Sequence, residues 1–441
     1  MSVKWAYLPE LYIPAYWFGG DCLGTISSFS GQVFEPRMSR RIRINWPLVI
    51  FLGLFFLLLG LYIAWPLLTG TVDPEIEQGF SFEPSPADRV RQRAMAATAG
   101  IWFFVFGATI GSFLNVVAYR MPMRLSFVAK PSRCQYCETP ILFRHNVPIL
   151  GWLILRGRCH ACRLPISPRY LMVEVLVGVL YSGLFAVELA AGGRNLPIRE
   201  PNARMGVMWN LFTPQWDLIG SFAFHAFLLG TLATIALIKY DRIKLPPRLV
   251  LFALALAAIV RLIWPGICVL PLPGIVAAWN LPITIPVQRF VFDLLFGLAF
   301  GAAVEVALYL GRHRNTVSGC GAIPIFLLVA SYLGWQACIP TLILGGLLQL
   351  ALACSALGWG IPVSRWWAMS LLIGTWLTLC MWRHLPVVWL PGAESSTGYQ
   401  WAGFVLGLGI VAVTQSMSIG EVEQETTASS DMLHLGSQSS P

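Results

Sequence analysis

The chain alternates long apolar runs with short polar connections. Each run is near the roughly 20 residues that a helix needs to cross a hydrocarbon core. Lipid offers no hydrogen-bond partners, so every such run must satisfy its own backbone, which predicts helices throughout. Candidate spans lie at 46–68, 94–119, 171–191, 217–238, 249–270, 289–311, 322–339, 341–360, 366–384 and 400–418. The expected fold is an all-α polytopic membrane helix bundle. Residues 1–36 lack the basic start and compact apolar core of a cleavable signal peptide, and the segment 1–45 is expected to be poorly ordered. An extra transmembrane helix, 46–68, then precedes a first membrane domain, 94–191, built around a polar loop, 120–169. A second bundle follows at 217–418, and a Ser-rich acidic tail, 419–441, is expected to be disordered.

Composition supports this reading. Only 12% of the 441 residues are charged, against about 25% in an average soluble domain. The net charge of +9 does not point to nucleic acid, because the basic residues collect in loops. The loop 120–169 carries Arg120, Arg124, Lys130, Arg133, Arg144, Arg156, Arg158, Arg163 and Arg169 against a single acid, Glu138. Basic loops stay inside, so this loop is expected in the cytoplasm. Arg89, Arg91 and Arg93 fall on the other side and run against the rule, but the larger excess outweighs them.

Four of the ten cysteines are patterned. Cys134-x-x-Cys137 and Cys159-x-x-Cys162 are separated by 21 residues. Two such hooks can converge four sulfurs on a zinc ion, and four thiolates leave no open position for catalysis, so the role would be structural. A pair of disulfides is the competing reading, which a reducing cytoplasm disfavours. His145 and His160, nearby, read as loop histidines rather than ligands.

The cysteine module stands in an ordered series: Gly111-Ser112-Phe113-Leu114-Asn115 upstream, His145-Asn146-Val147-Pro148 and Arg156-Gly157-Arg158 between the hooks, and Ser167-Pro168-Arg169-Tyr170 through Glu174 after them. This series resembles the amino-terminal domain of the type IV prepilin leader peptidases and N-methyltransferases, membrane aspartic peptidases of the Gly-x-Gly-Asp kind. The resemblance is dense over 107–175 and thinner beyond. It implies an inner-membrane protein whose relatives cleave prepilin leaders at the cytoplasmic face and methylate the new amino terminus with S-adenosylmethionine. Gly157 matches a position the family links to methylation. The plain alternative for Gly157 is a turn that needs positive φ.

The resemblance also implies two catalytic aspartates. A water-activating pair needs one ionised and one protonated carboxyl, and close carboxylates push their pKa values apart to supply both. Here the Gly-x-Gly-Asp turn reads Gly319-Cys320-Gly321-Ala322, with Ala322 at the aspartate position. Counting back from Leu245-Pro246, the other aspartate position falls on Lys239, and Asp241 matches a non-catalytic acid. A slip of two residues turns a helix by about 200°, which sets Asp241 on the wrong face. Glu305 is expected about 9 Å inside its helix end, where an intramembrane acid is a functional candidate. Its two readings are an improvised catalytic pair with Asp241 and an internal salt bridge with Lys239. Asp217 and Asp293 are expected at the opposite membrane face, and His225 as a helix–helix hydrogen-bond partner.

The expected function is therefore a prepilin-peptidase-family protein whose proteolysis has been lost, a pseudoenzyme. The alternatives are an active peptidase using Asp241 and Glu305, or a non-enzymatic assembly factor of a type IV pilus or type II secretion system. Expected cofactors are structural zinc and S-adenosylmethionine. Expected partners are the lipid bilayer and prepilin-like signal peptides or assembly proteins.

Overall fold

The computed structural model describes residues 85–126, 132–134, 136–197, 214–267, 286–310, 321–356 and 363–385, with 57 and 409 as isolated positions. The expected spans 46–68 and 400–418, the segment 1–45 and the tail 419–441 lie outside the described residues. Among the described residues the structure is all helical apart from two isolated β-bridges.

The helices are α1 (Pro86–Arg120), α2 (Leu150–Leu155), α3 (Arg169–Phe185), α4 (Trp216–Tyr240), α5 (Pro247–Ile263), α6 (Pro286–Leu310), α7 (Ala322–Leu333), α8 (Cys338–Ala356) and α9 (Trp367–Met381). Among the described residues, five stretches are long and apolar enough to cross a membrane: Val90–Arg120, Arg169–Ala190, Trp216–Tyr240, Arg289–Leu308 and Trp335–Cys354. α1 begins earlier than the apolar pattern suggested. Ser85 and Asp88 form a reciprocal capping box and Pro86 occupies the first turn, so polar capping sets the start. α3 runs on into a π-helical segment, Ala186–Ala190.

Helix pairs approach closely where side chains are small. Gly107 and Gly111 of α1 face Gly178 and Glu174 of antiparallel α3, and a Cβ at Gly107 would sit 2.8 Å from the backbone oxygen of Val177. Gly301 of α6 meets Ile323 of α7 in the same way. In lipid, packing of this kind takes over the role that hydrophobic burial plays in water. α4 is the centre of the bundle, with 89% of its most apolar window buried. Around it pack α1, α3, α7 and α9.

The expected single span 322–339 is divided. Gly334 adopts φ 94°, a backbone conformation that ends α7, and a short turn at Trp335–Ala337 leads into α8. Apolar composition continues through this break, so hydropathy alone could not see it.

Candidate functional site

Two chemical centres can be built from these elements. The first is the cysteine module. Each hook folds as the same small unit. The N–H of Cys134 donates to the carbonyl of Thr139, and the N–H of Glu138 donates to the carbonyl of Cys134. In the second hook, the N–H of Cys159 donates to the carbonyl of Leu164, and the N–H of Arg163 to the carbonyl of Cys159. Glu138 and Arg163, one residue beyond each hook, both take positive φ, 55° and 62°. A β-bridge closes each unit, Arg133 to Pro140 and Arg158 to Pro165.

The four Sγ atoms lie within 4.8 Å of one another. Across the hooks, Cys134 and Cys162 are 3.8 Å apart and Cys137 and Cys159 are 3.9 Å apart. A tetrahedron with Zn–S bonds of 2.3 Å has edges of about 3.8 Å, so the donor set fits zinc. The cysteines are free thiols at these separations, which sets aside the disulfide reading. The hydroxyl and N–H of Thr139 draw the Cys137 thiol down to about 6. At Cys162 the Leu164 N–H pulls down, but burial and the other three sulfurs outweigh it and push the thiol up to about 11. His145 and His160 pair with each other, ring centroids 5.1 Å apart, outside the four-sulfur group.

Gly157 adopts φ +65°, and a Cβ there would meet the Trp152 ring at 2.7 Å. The indole N–H of Trp152 donates to the carbonyl of Ile166, so the ring is held in place. The turn reading of Gly157 thus has a direct geometric basis. Ile149 also takes positive φ, 64°, a strained state for a branched residue. Its N–H donates to the buried Glu174 carboxylate at 2.6 Å, which fixes the loop against α3.

The second centre is where α4 ends and α7 begins. Lys239 lies in the last turn of α4, and its side chain runs against Gly321: a Cβ at Gly321 would sit 2.6 Å from Cε and 3.3 Å from Nζ. Gly321 has φ +75° and precedes α7, whose first residue, Ala322, is fully buried. The N–H of Ala322 donates to the Glu305 carboxylate at 2.8 Å. Lys239, Gly321–Ala322 and Glu305 therefore converge from three helices. Asp241, two residues beyond Lys239, engages Arg169 at 2.5 Å, and the same guanidinium lies 5.6 Å from the centre of the Tyr240 ring.

Asp293 is buried against Arg261 at 2.7 Å and accepts the N–H of Trp335 at 3.0 Å. Asp217 lies in the first turn of α4. His225 meets Glu188, a residue that sequence reasoning missed, at 2.6 Å. Asn195 donates to the same carboxylate at 3.3 Å and to the carbonyl of Leu379 at 3.0 Å. All three residues are buried. An acid inside the run 171–191 was the available signal.

A family model described as Bacterial Peptidase A24 N-terminal domain matches residues 105–187. A prepilin leader peptidase/N-methyltransferase of Myxococcus xanthus strain DK1622 is 47% identical over 81 residues, 18% of this chain and 24% of that protein. Proteins of the same description match at greater length: one from Aeromonas hydrophila at 26% identity, covering 61% of this chain and 93% of that protein, and one from Klebsiella pneumoniae at 28%, covering 56% and 90%. No solved structure matches the chain. The family model spans the cysteine module and the packed parts of α1 and α3, and the longer matches, at lower identity, cover more of the chain than that. Residues 105–187 thus match the Bacterial Peptidase A24 N-terminal domain, and the chain as a whole is similar, at lower identity, to prepilin leader peptidase/N-methyltransferases.

Proposed function

We infer that this protein is a multi-pass inner-membrane member of that family that engages prepilin-like segments without cleaving them. The observation that carries the reading is the meeting of Lys239 with Gly321–Ala322, the two positions at which the family resemblance calls for aspartates. A methyl group transfers no proton. The nearby carboxylate, Glu305, accepts the first N–H of α7. One carboxylate beside a lysine does not make the pair of carboxyls, one ionised and one protonated, that activates water between them. Asp241 is engaged by Arg169, which favours a structural role for it.

The basic excess of the loop 120–169 supports its placement on the cytoplasmic side. The segments it would meet there are the leaders of prepilin-like proteins of a type IV pilus or type II secretion system. The cysteine module serves this reading as a zinc-held scaffold, with S-adenosylmethionine as the further ligand to test by calorimetry.

The deciding experiment incubates purified protein with a prepilin substrate in detergent. The wild type is expected to leave the substrate intact, and the double variant Lys239→Asp/Ala322→Asp to gain cleavage. Cleavage by the wild type that disappears in Asp241→Asn or Glu305→Gln overturns the reading.

A further inference from the structure

The cysteine loop does not stand clear of the helices. Ile149 and Leu153, on one face of α2, pack with Ala108 of α1, and Phe104, Trp152, Leu171 and Val175 close around them. Leu171 and Val175 lie two and six residues into α3 from Arg169. Ala108, beside the Gly107 that faces Gly178, is level with a point about eight residues in, so at 1.5 Å per residue the contacts of α2 lie about 3–12 Å below the end of that span. That is the depth of the boundary between headgroups and acyl chains.

The other face of α2 is also apolar. Leu150 and Ile154, one turn apart, are 38% and 50% exposed. The approach to α2 adds Phe143 at 89%, with Leu142 and Val147. A helix apolar all round is expected to be buried, and exposed apolar residues at this density mark an interaction surface. Arg144, Arg156 and Arg158 are exposed within or beside this stretch, and the loop's one acid, Glu138, lies just beyond the first hook.

We propose that residues 142–158 insert into the adjacent membrane leaflet, with the apolar side chains among the acyl chains and Arg144 and Arg158 on the headgroups of anionic phospholipid. The occupant follows from depth and charge together. Depth puts the apolar face at the lipid boundary, and the exposed arginines among and beside it complement a phosphate-rich surface. The cysteine hooks would then be carried on a membrane-seated base rather than a free loop. This inference rests on packing and exposure, and holds whether or not peptidase activity survives.

The test uses the full-length protein in nanodiscs of phosphatidylethanolamine with or without phosphatidylglycerol. A benzophenone amino acid at position 143 is expected to crosslink to lipid on illumination. Crosslinking to a second protein chain, or no lipid adduct, overturns the insertion. Native mass spectrometry then counts retained phosphatidylglycerol. Each arginine near an anionic surface changes binding about fivefold, so Arg144→Ser is expected to lower retention about fivefold. Zinc content and elution volume should be unchanged, since Arg144 is exposed and lies outside both hooks. Equal retention of the two lipids, before and after substitution, overturns the anionic preference.

Discussion

The guanidinium of Arg169 donates to the carboxylate of Asp241, so the first residue of α3 is tied to the residue that ends α4. The link joins the end of the cysteine loop to the helix that carries Lys239. It explains how a motif-bearing loop and a distant helix end share one face of the bundle.

The strength of that link can be measured. The two side chains are 33% and 26% exposed, and partly solvated pairs contribute at most about 1 kcal/mol. A double-mutant cycle on Arg169→Ala and Asp241→Ala, read by thermal unfolding in detergent, should give a coupling of about 0.5–1 kcal/mol. Zero coupling would remove Asp241 from the structural role and return it to the list of catalytic candidates.

Gly157→Ala should loosen the cysteine module. The substitution must keep φ +65° and displace the Trp152 ring, at a cost of about 1–3 kcal/mol. The expected result is faster zinc loss to a chelator and a lower melting temperature. If instead S-adenosylmethionine binding disappears while zinc retention and melting stay fixed, Gly157 acts in methylation and the turn is secondary.

Zinc occupancy should follow pH in one direction. A thiol whose pKa is lowered in the folded loop contributes stability above its ordinary range and loses it as pH falls through the folded value. Thr139 brings Cys137 down to about 6, so acidification below that point should protonate it and release metal. Emission spectroscopy is expected to find one zinc per chain at neutral pH and a decline only as pH falls below about 6, since the bound cation itself holds the thiolate. Thr139→Val should move the decline upward in pH, because the hydroxyl that favours the thiolate is gone. A Thr139→Val curve that overlies the wild type would refute this account.

The buried pair Glu188–His225 should respond to single and double substitution differently. Removing one partner takes the 2.6 Å hydrogen bond from the other in an apolar surrounding, which costs about 1–3 kcal/mol. Replacing both with leucine removes the uncompensated group as well. Glu188→Leu/His225→Leu should therefore melt above His225→Leu alone. A double variant that melts lower than either single one would mean that the pair binds something the leucines cannot replace.

Much of this protein is legible in one dimension. Apolar run length gave the helices, because a backbone in lipid has no partner but itself. The hook spacing gave the four-sulfur group, because two short turns with fixed geometry need only be brought face to face. Helix breaks were less visible: Gly334 lies within a continuous apolar stretch, and hydropathy carries no information about φ. The second centre was legible in part. The residue types at 239 and 322 could be read off, but not what each would touch. Lys239 meets Gly321, Glu305 takes the N–H of Ala322, and Asp241 turns to Arg169. These contacts join residues that are far apart in the chain. Local sequence settles which backbone is helical and which side chains can carry charge. Only the packing of helices against one another decides which charges meet, because that depends on small residues such as Gly107 and Gly301 letting particular pairs close to contact.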